Sequence, residues 1–400
     1  MQDTSIDPRV NLPVRQKTSL LESEGRLRHV ILASQFDRER IDDLCKVAEQ
    51  VREIAEAPKG REELAKLLPH LNVLLYFTQP STRTFLSFSA AARLLGMGVE
   101  HARDAEMSSE AKGESDFDSV RMFASYFDAI VMRSPKADLA ERCAYMMNDL
   151  ADAKQNQRSV PIINAGSGKD QHPTQSLLDI LTIKRTFSRS RYEELHAQDP
   201  KHAFGVSQLD VGNKRYAFCG DVGRGRTIRS LAELLSNYEN VSMCFIAPDH
   251  PKLQLSDDMR NLLLKRGVEV EEYGSLDVKA GKKWLLSTVD CLYMTRVQSE
   301  HDDNDLKTFL KTADTSGCHL TVARVHRMKP YAPILHPFPR DSRVMEIPTE
   351  IDNDPRAMYF RQARNGLWAR AGLLAHIFGK DKKLADVHAD FFRERHDYNR

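Results

Sequence analysis

Eight short, mostly apolar runs alternate along this chain with stretches of helical periodicity. They are "LNVLLYF" (71–77), "FDAIVM" (127–132), "SVPIIN" (159–164), "RYAFCG" (215–220), "VSMCFIA" (241–247), "VEVEEY" (268–273), "VDCLYMTRV" (289–297) and "APILHPFP" (332–339). A strand with one wet face would alternate polar and apolar residues, and most of these do not. Such strands need cover on both faces, which parallel sheets obtain from the helices of their crossovers. Four hundred residues hold two cores of ordinary size. The expected fold is therefore α/β, with two open parallel-sheet domains. A first helix is expected in "DRERIDDLCKVAEQVREIAEAP", where Ile41, Leu44, Ala48, Val51 and Ala55 share one face and Pro58 marks the end.

Composition narrows the function classes. Lys and Arg number 58 against 57 Asp and Glu, so no net field draws the chain toward nucleic acid or a membrane. Six scattered cysteines form no CxxC pair, and Cys219, Cys244 and Cys291 lie inside apolar runs as core residues. No metal-ligand spacing occurs, and no metal site is expected. With no apolar signal region in residues 1–16 and no run of membrane-spanning length, a reducing, cytoplasmic setting is expected. Residues 1–30 are polar and proline-containing and are expected to form a loosely held extension. Residues 188–213 suggest an elaborated surface connection.

In open parallel sheets, ligands bind beyond the carboxyl ends of the strands. After the first run stands "TQPSTRT", with Ser81, Thr82, Arg83 and Thr84 at a strand–helix junction. Helix N-termini favour anions, and Arg83 adds a charge-assisted contact suited to phosphate; a simple capped helix accounts for the loop equally well. Arg133 follows the second run and points to the ligand edge, or to a surface carboxylate. In "INAGSGKDQHPTQSLLDI", the fragment "GSGK" is no P-loop, because Ile163 and Asp170 stand where that motif needs Gly and Ser or Thr. His172 at the following helix start could donate to an oxygen on which charge develops, although a lone histidine there is more often structural.

In "FCGDVGRGRTIRSLAELL" the glycines miss the dinucleotide register, which disfavours a nicotinamide enzyme; Arg226 suits a small carboxylate. Arg296 and Gln298 alternate in "YMTRVQ" and so face one side of an extended segment. Each site alone has an ordinary surface explanation. Together they supply anion donors after nearly every strand, without a nucleophile–base pair. That inventory suits transfer between two anionic small molecules by positioning and electrostatics.

In this order, "PSTRT", "SSEAKGES", "VMRSP", "INAGSGKDQHPTQSLLDI", "TRVQ", "HPFPR" and "DPRAMYFRQARNG" resemble the aspartate/ornithine carbamoyltransferase family from Phe77 to about Gly379. The resemblance implies a carbamoyl-phosphate domain (31–175 plus 362–400) and an aspartate domain (176–361) after the 1–30 extension. The active site would lie between the domains, and a C-terminal helix would cross back to the first. It implies carbamoyl transfer in pyrimidine synthesis, no cofactor, and a homotrimer with shared sites. Ser81, Thr82, Arg83 and Thr84 would bind phosphate; Thr84, Arg133 and His172 the carbonyl oxygen; Gln175 the amino group. Ser108 and Lys112 would come from the neighbouring subunit. Lys112, Arg226, Arg296, Gln298, Phe338 and Pro339 would form the amino-acid site. "HPFP" in place of the ornithine-type "HCLP" favours aspartate as acceptor. Gln79, Phe85, His301 and Phe338 depart from the family pattern. They leave two rivals: transfer to another amino acid, or a non-catalytic partner protein.

Overall fold

The computed structural model describes residues 7–102, 114–156, 158–167, 171–198, 209–297, 304–341 and 344–397. Two compact units emerge: Met1–Leu178 with Gly366–Arg400, and Asp179–Asn365. Numbering only the strands of the two main sheets, the first unit holds β1 (Asn72–Phe77), β2 (Gly98–Ala102), β3 (Ala129–Arg133) and β4 (Ile162–Asn164). They run parallel in the order β2-β1-β3-β4. The second unit holds β5 (Arg215–Cys219), β6 (Ser242–Ile246), β7 (Glu269–Tyr273), β8 (Cys291–Met294) and β9 (Ile334–Leu335). Their order is β9-β8-β5-β6-β7, again parallel throughout.

The α/β expectation holds, and all eight apolar runs contain strands. Strand β2, "GVEHA", had no such signal. It lies at a sheet edge with most of its side chains exposed, so no two-sided burial selects an apolar run there. At the far edge of the other sheet, β7 is likewise mostly half-exposed.

The principal helices are α1 (Arg38–Ala55), α2 (Thr82–Leu94), α3 (Leu139–Asp152), α4 (Pro173–Thr186), α5 (Arg189–Gln198), α6 (Arg226–Leu235), α7 (Tyr359–Ile377) and α8 (Asp381–Asp397). Helix α1 starts where the Asp37 carboxylate accepts from the Arg40 N–H at 2.9 Å. It buries Ile41, Leu44, Ala48 and Val51. Pro58 opens the next helix, Pro58–Leu64, where a missing N–H costs nothing. Helix α8 returns to α1, with His388 Nε2 2.7 Å from Glu53 Oε2. Helix α5, in the 188–213 segment, buries no residue. All six cysteines are free and buried. Among the described residues, no helix is long and apolar enough to cross a membrane.

Of the 1–30 segment expected to be loosely held, the described part is not. Residues 7–30 pack on α3: Arg9 pairs with Asp149 at 2.7 Å, and Lys17 with the buried Glu141 at 2.9 Å. Val30 bridges Ile163 of β4, donating to Ile162 O and accepting from Asn164 N. The reason lies in partners far along the chain, invisible to local polarity. Asn148 of α3 donates to Leu20 O at 2.8 Å, and its amide oxygen lies 3.1 Å from His29 Nε2. His29 Nδ1 accepts from Ile162 N at 3.0 Å, so Nε2 carries the proton.

His29 is fully buried, and burial pushes its pKa down to about 4 from 6.5. The native imidazole stays neutral while the unfolded one protonates. Stability therefore holds above pH 6.5 and falls as pH drops toward 4, by about 3 kcal/mol in total. Denaturant unfolding followed between pH 7 and 4 should show this slope, and His29→Gln should flatten it. Equal slopes in the two proteins would refute the assignment.

Candidate functional site

The first candidate site lies where β1, β3 and β4 of the first unit end. Arg133, the last residue of β3, binds through both backbone and side chain. Its carbonyl accepts from Thr78 N at 3.0 Å and Gln79 N at 3.2 Å, pinning the loop that leaves β1. Its guanidinium donates to Ala165 O at 3.1 Å, in the loop that leaves β4. That loop is wound tightly because Asn164 Oδ1 accepts from Gly166 N and Ser167 N at 2.9 and 2.7 Å. Gly166 has φ +98°, a conformation other residues resist. A methyl group there would lie 2.6 Å from Arg133 Nη1 and 2.7 Å from His172 Cδ2, with His172 Nε2 at 3.0 Å. The guanidinium and the imidazole thus converge on one small volume, kept open by a glycine.

Arg133 and His172 are 8% and 4% exposed, so charge developing beside them would be weakly screened. His172 opens α4: its carbonyl accepts from Gln175 N and Ser176 N. Gln175 follows in the first turn, partly exposed. Ahead of His172, Gln171 Oε1 accepts from Ala33 N at 3.0 Å, so the N-terminal segment braces this loop.

The pinned loop leads into α2. Ser81 occupies the N-cap but makes no capping hydrogen bond with its side chain, which argues against the plain-cap explanation. Thr82 and Arg83 are exposed, Ser81 is half-buried and Thr84 is buried. The first-turn amides of this helix start and three hydroxyls suit an anion. Phe85 points the other way, packed edge-on against Phe77 at 5.5 Å and His101 at 5.7 Å. Its role is in the core.

A second candidate site lies at the ends of β5, β8 and β9, adjacent in the other unit. Gly220 (φ +119°) leaves β5 beneath Thr295, where a methyl group would lie 2.1 Å from Thr295 O. Thr295 N donates to Cys219 O, and Asp221 N donates to Thr295 Oγ1. Arg226 is the first residue of α6. Burial holds its guanidinium below the ordinary value, so a carboxylate beside it would be favoured. Arg224 engages the buried Asp221 at 2.7 Å.

Arg296 is half-buried beyond β8. That strand ends at Met294, because its neighbour β5 stops at Cys219 and β9 has two residues. The extended alternation expected through Arg296 therefore does not arise from strand pairing. After β9, Phe338 N donates to His336 Nδ1 at 2.8 Å, and Phe338 (φ +55°) precedes a cis bond to Pro339. Ser108, Lys112, Gln298 and His301 lie outside the described residues.

Asn164 and Gly166 were missed as site residues, although "NAG" directly after a strand is a readable sign of a tight, open turn. Asp179 was missed as well. It is fully buried and accepts from Tyr293 Oη at 2.8 Å and Gln362 Nε2 at 2.6 Å, while Gln362 Oε1 accepts from His336 N. That network anchors the β9 exit and has no local signature.

Comparison with known proteins bears on both halves. Residues 28–185 match the family model for the aspartate/ornithine carbamoyltransferase carbamoyl-P binding domain, and residues 212–377 its Asp/Orn binding domain. Aspartate carbamoyltransferase 1 of Pisum sativum is 36% identical over 352 residues, 87% of this chain and 78% of the relative. The catalytic subunit from Clostridium novyi is 35% identical over 357 residues, 88% and 98% of the two chains. The M. jannaschii aspartate transcarbamoylase catalytic subunit superposes with a TM-score of 0.68 at 31% identity, covering 89% of this chain and 99% of that one. The Trypanosoma cruzi aspartate transcarbamoylase in complex with carbamoyl phosphate and aspartate gives 0.67 at 30%, covering 87% and 94%.

Gly166→Ala should push Arg133 and His172 apart. Carbamoyl phosphate binding, read by calorimetry, is expected to weaken about tenfold, or 1.4 kcal/mol. Unchanged affinity would show that the two side chains do not meet that ligand.

Proposed function

The chain belongs to the aspartate/ornithine carbamoyltransferase family, and from that premise we propose that it transfers the carbamoyl group of carbamoyl phosphate to the amine of L-aspartate, giving N-carbamoyl-L-aspartate and phosphate. It is an enzyme of the transferase class, and its reaction belongs early in pyrimidine synthesis. The observation that carries the reading in this molecule is the convergence of Arg133 and His172 across Gly166, beside an anion-ready helix start. Two arginines at neighbouring strand ends of the other unit suit a dicarboxylate acceptor.

The chemistry follows from these groups. The helix start, with Ser81, Thr82, Arg83 and Thr84, holds the phosphate; Gln175 takes the carbamoyl amino group. Arg226, Arg296 and Gln298, with the backbone at Phe338 and Pro339, hold the two carboxylates of aspartate. The amine attacks the carbamoyl carbon, the carbonyl oxygen gains negative charge, the bond to phosphate breaks, and the departing phosphate takes up the proton the amine nitrogen loses. Thr84, Arg133 and His172 stabilise that oxygen without needing to reorganise, since their positions are set beforehand. Removing one such donor costs about 3–4 kcal/mol in the barrier. Ser108 and Lys112 complete the site from the neighbouring subunit of a homotrimer. The free, buried cysteines support a reducing, cytosolic setting.

Phosphate release from carbamoyl phosphate, assayed with aspartate, ornithine and a panel of other amines, tests the reading. Release with aspartate is expected; release only with another amine, or none at all, would displace it. His172→Ala and Arg133→Ala should each lower kcat by about 10²–10³.

The shared site has its own test. Trimers of Lys112→Ala and of Arg83→Ala should each be inactive, and activity should return after their subunits are exchanged. Proven exchange without recovery would rule out sharing.

A further inference from the structure

Helix α7 reads "YFRQARNGLWARAGLLAHI", and one arginine in its apolar second half is nearly inaccessible. Arg370 is 3% exposed. Burying a guanidinium is expensive unless its hydrogen bonds and charge are used. Its position shows how they are used. Nη1 donates to Ser87 Oγ of α2, and the guanidinium carbon sits 4.9 Å from the centre of the Phe88 ring. Ser87 Oγ in turn lies 2.7 Å from Arg83 O and 3.0 Å from Thr84 O, donating back into the first turn of its own helix. The hydroxyl therefore accepts from the guanidinium and donates to the backbone of the two residues that begin the anion site. Gly366, one turn earlier, is required by this arrangement, since a methyl group there would lie 2.5 Å from Arg370 Nη1.

We infer that Arg370 is a positioning residue for the phosphate group of the first substrate, acting through Ser87 on the Arg83–Thr84 turn of α2; this rests on the function proposed above. Two physical effects combine. The relay fixes the orientation of the first helical turn, hence the direction of its backbone amides and of the Thr84 hydroxyl. The guanidinium also places a poorly screened positive charge under a helix start that already favours anions. A hydroxyl bonded back to the i−4 carbonyl slightly destabilises and often bends a helix. Spending a buried cation to hold it in place is explicable if the shape of that turn matters. Arg370 touches no substrate in this scheme.

The test is direct binding of inorganic phosphate to the full-length protein, alongside the KM for carbamoyl phosphate. Arg370→Met should raise the phosphate Kd and the carbamoyl phosphate KM about tenfold each. Arg370→Lys, which keeps the charge but not the fork or the ring stacking, should recover part of the loss. Ser87→Ala, a small change that leaves the fold intact, should raise both constants about threefold and make Arg370→Lys and Arg370→Met less different from the parent. A purely structural arginine would lower the Tm while leaving both constants within twofold, and that outcome overturns the inference. Should Arg370→Met fail to fold, Arg370→Lys and Ser87→Ala still decide it. If the unaltered protein binds neither phosphate nor carbamoyl phosphate, the functional reading itself fails and this inference with it. Loss confined to the variants separates the two cases.

Discussion

Arg133 closes three strand exits on one another, and the geometry at this edge of the first sheet depends on that closure. Its carbonyl holds the loop leaving β1, and its guanidinium holds the loop leaving β4. Both contacts arise because β3 sits between β1 and β4, with all strands parallel. In such a sheet every carboxyl end opens on the same edge, so a residue ending the central strand can reach both neighbours. An antiparallel sheet would send alternate exits to opposite edges and could not gather these loops. The bond to Ala165 O leaves Gly166 facing both the guanidinium and the imidazole of His172, and only a glycine leaves room for them.

The second unit repeats the principle with different parts. Gly220 passes beneath Thr295, Thr295 bonds back to Cys219 and Asp221, and the β9 exit is anchored through His336, Gln362 and Asp179. In both units buried polar groups hold loop backbones. Networks of this kind are fully satisfied or harmful, which explains why the anchoring side chains are so deeply buried. Burial also sets chemistry: it keeps His29 neutral and holds the Arg226 guanidinium below its ordinary pKa.

Departures from the family pattern separate into two kinds. Phe85 fills core space against Phe77 and His101, a packing solution with no reach into the anion site. Phe338 stands beyond β9 in a left-handed conformation, where its ring meets Tyr359 at 5.8 Å and Phe360 at 5.5 Å. Such backbone conformations cost about 1–3 kcal/mol and persist when surrounding contacts enforce them. Here aromatic packing does so.

Strand-forming runs were legible without coordinates because burial on both faces demands unbroken apolar residues. The edge strand β2 was not, because one-sided exposure relaxes that demand. The motif residues Ser81 to Thr84, Arg133 and His172 could be named from the sequence, since helix starts and strand ends carry local signs. Their convergence could not, because it depends on hydrogen bonds between loops separated by 32 residues or more, as from Arg133 to Ala165. The same holds for residues 7–30, whose polar composition suggested a loose end. Asn148 and Ile162 hold them by contacts more than a hundred positions away. Local physics chose the elements and the chemical alphabet of the site; the three-dimensional sheet decided which letters meet.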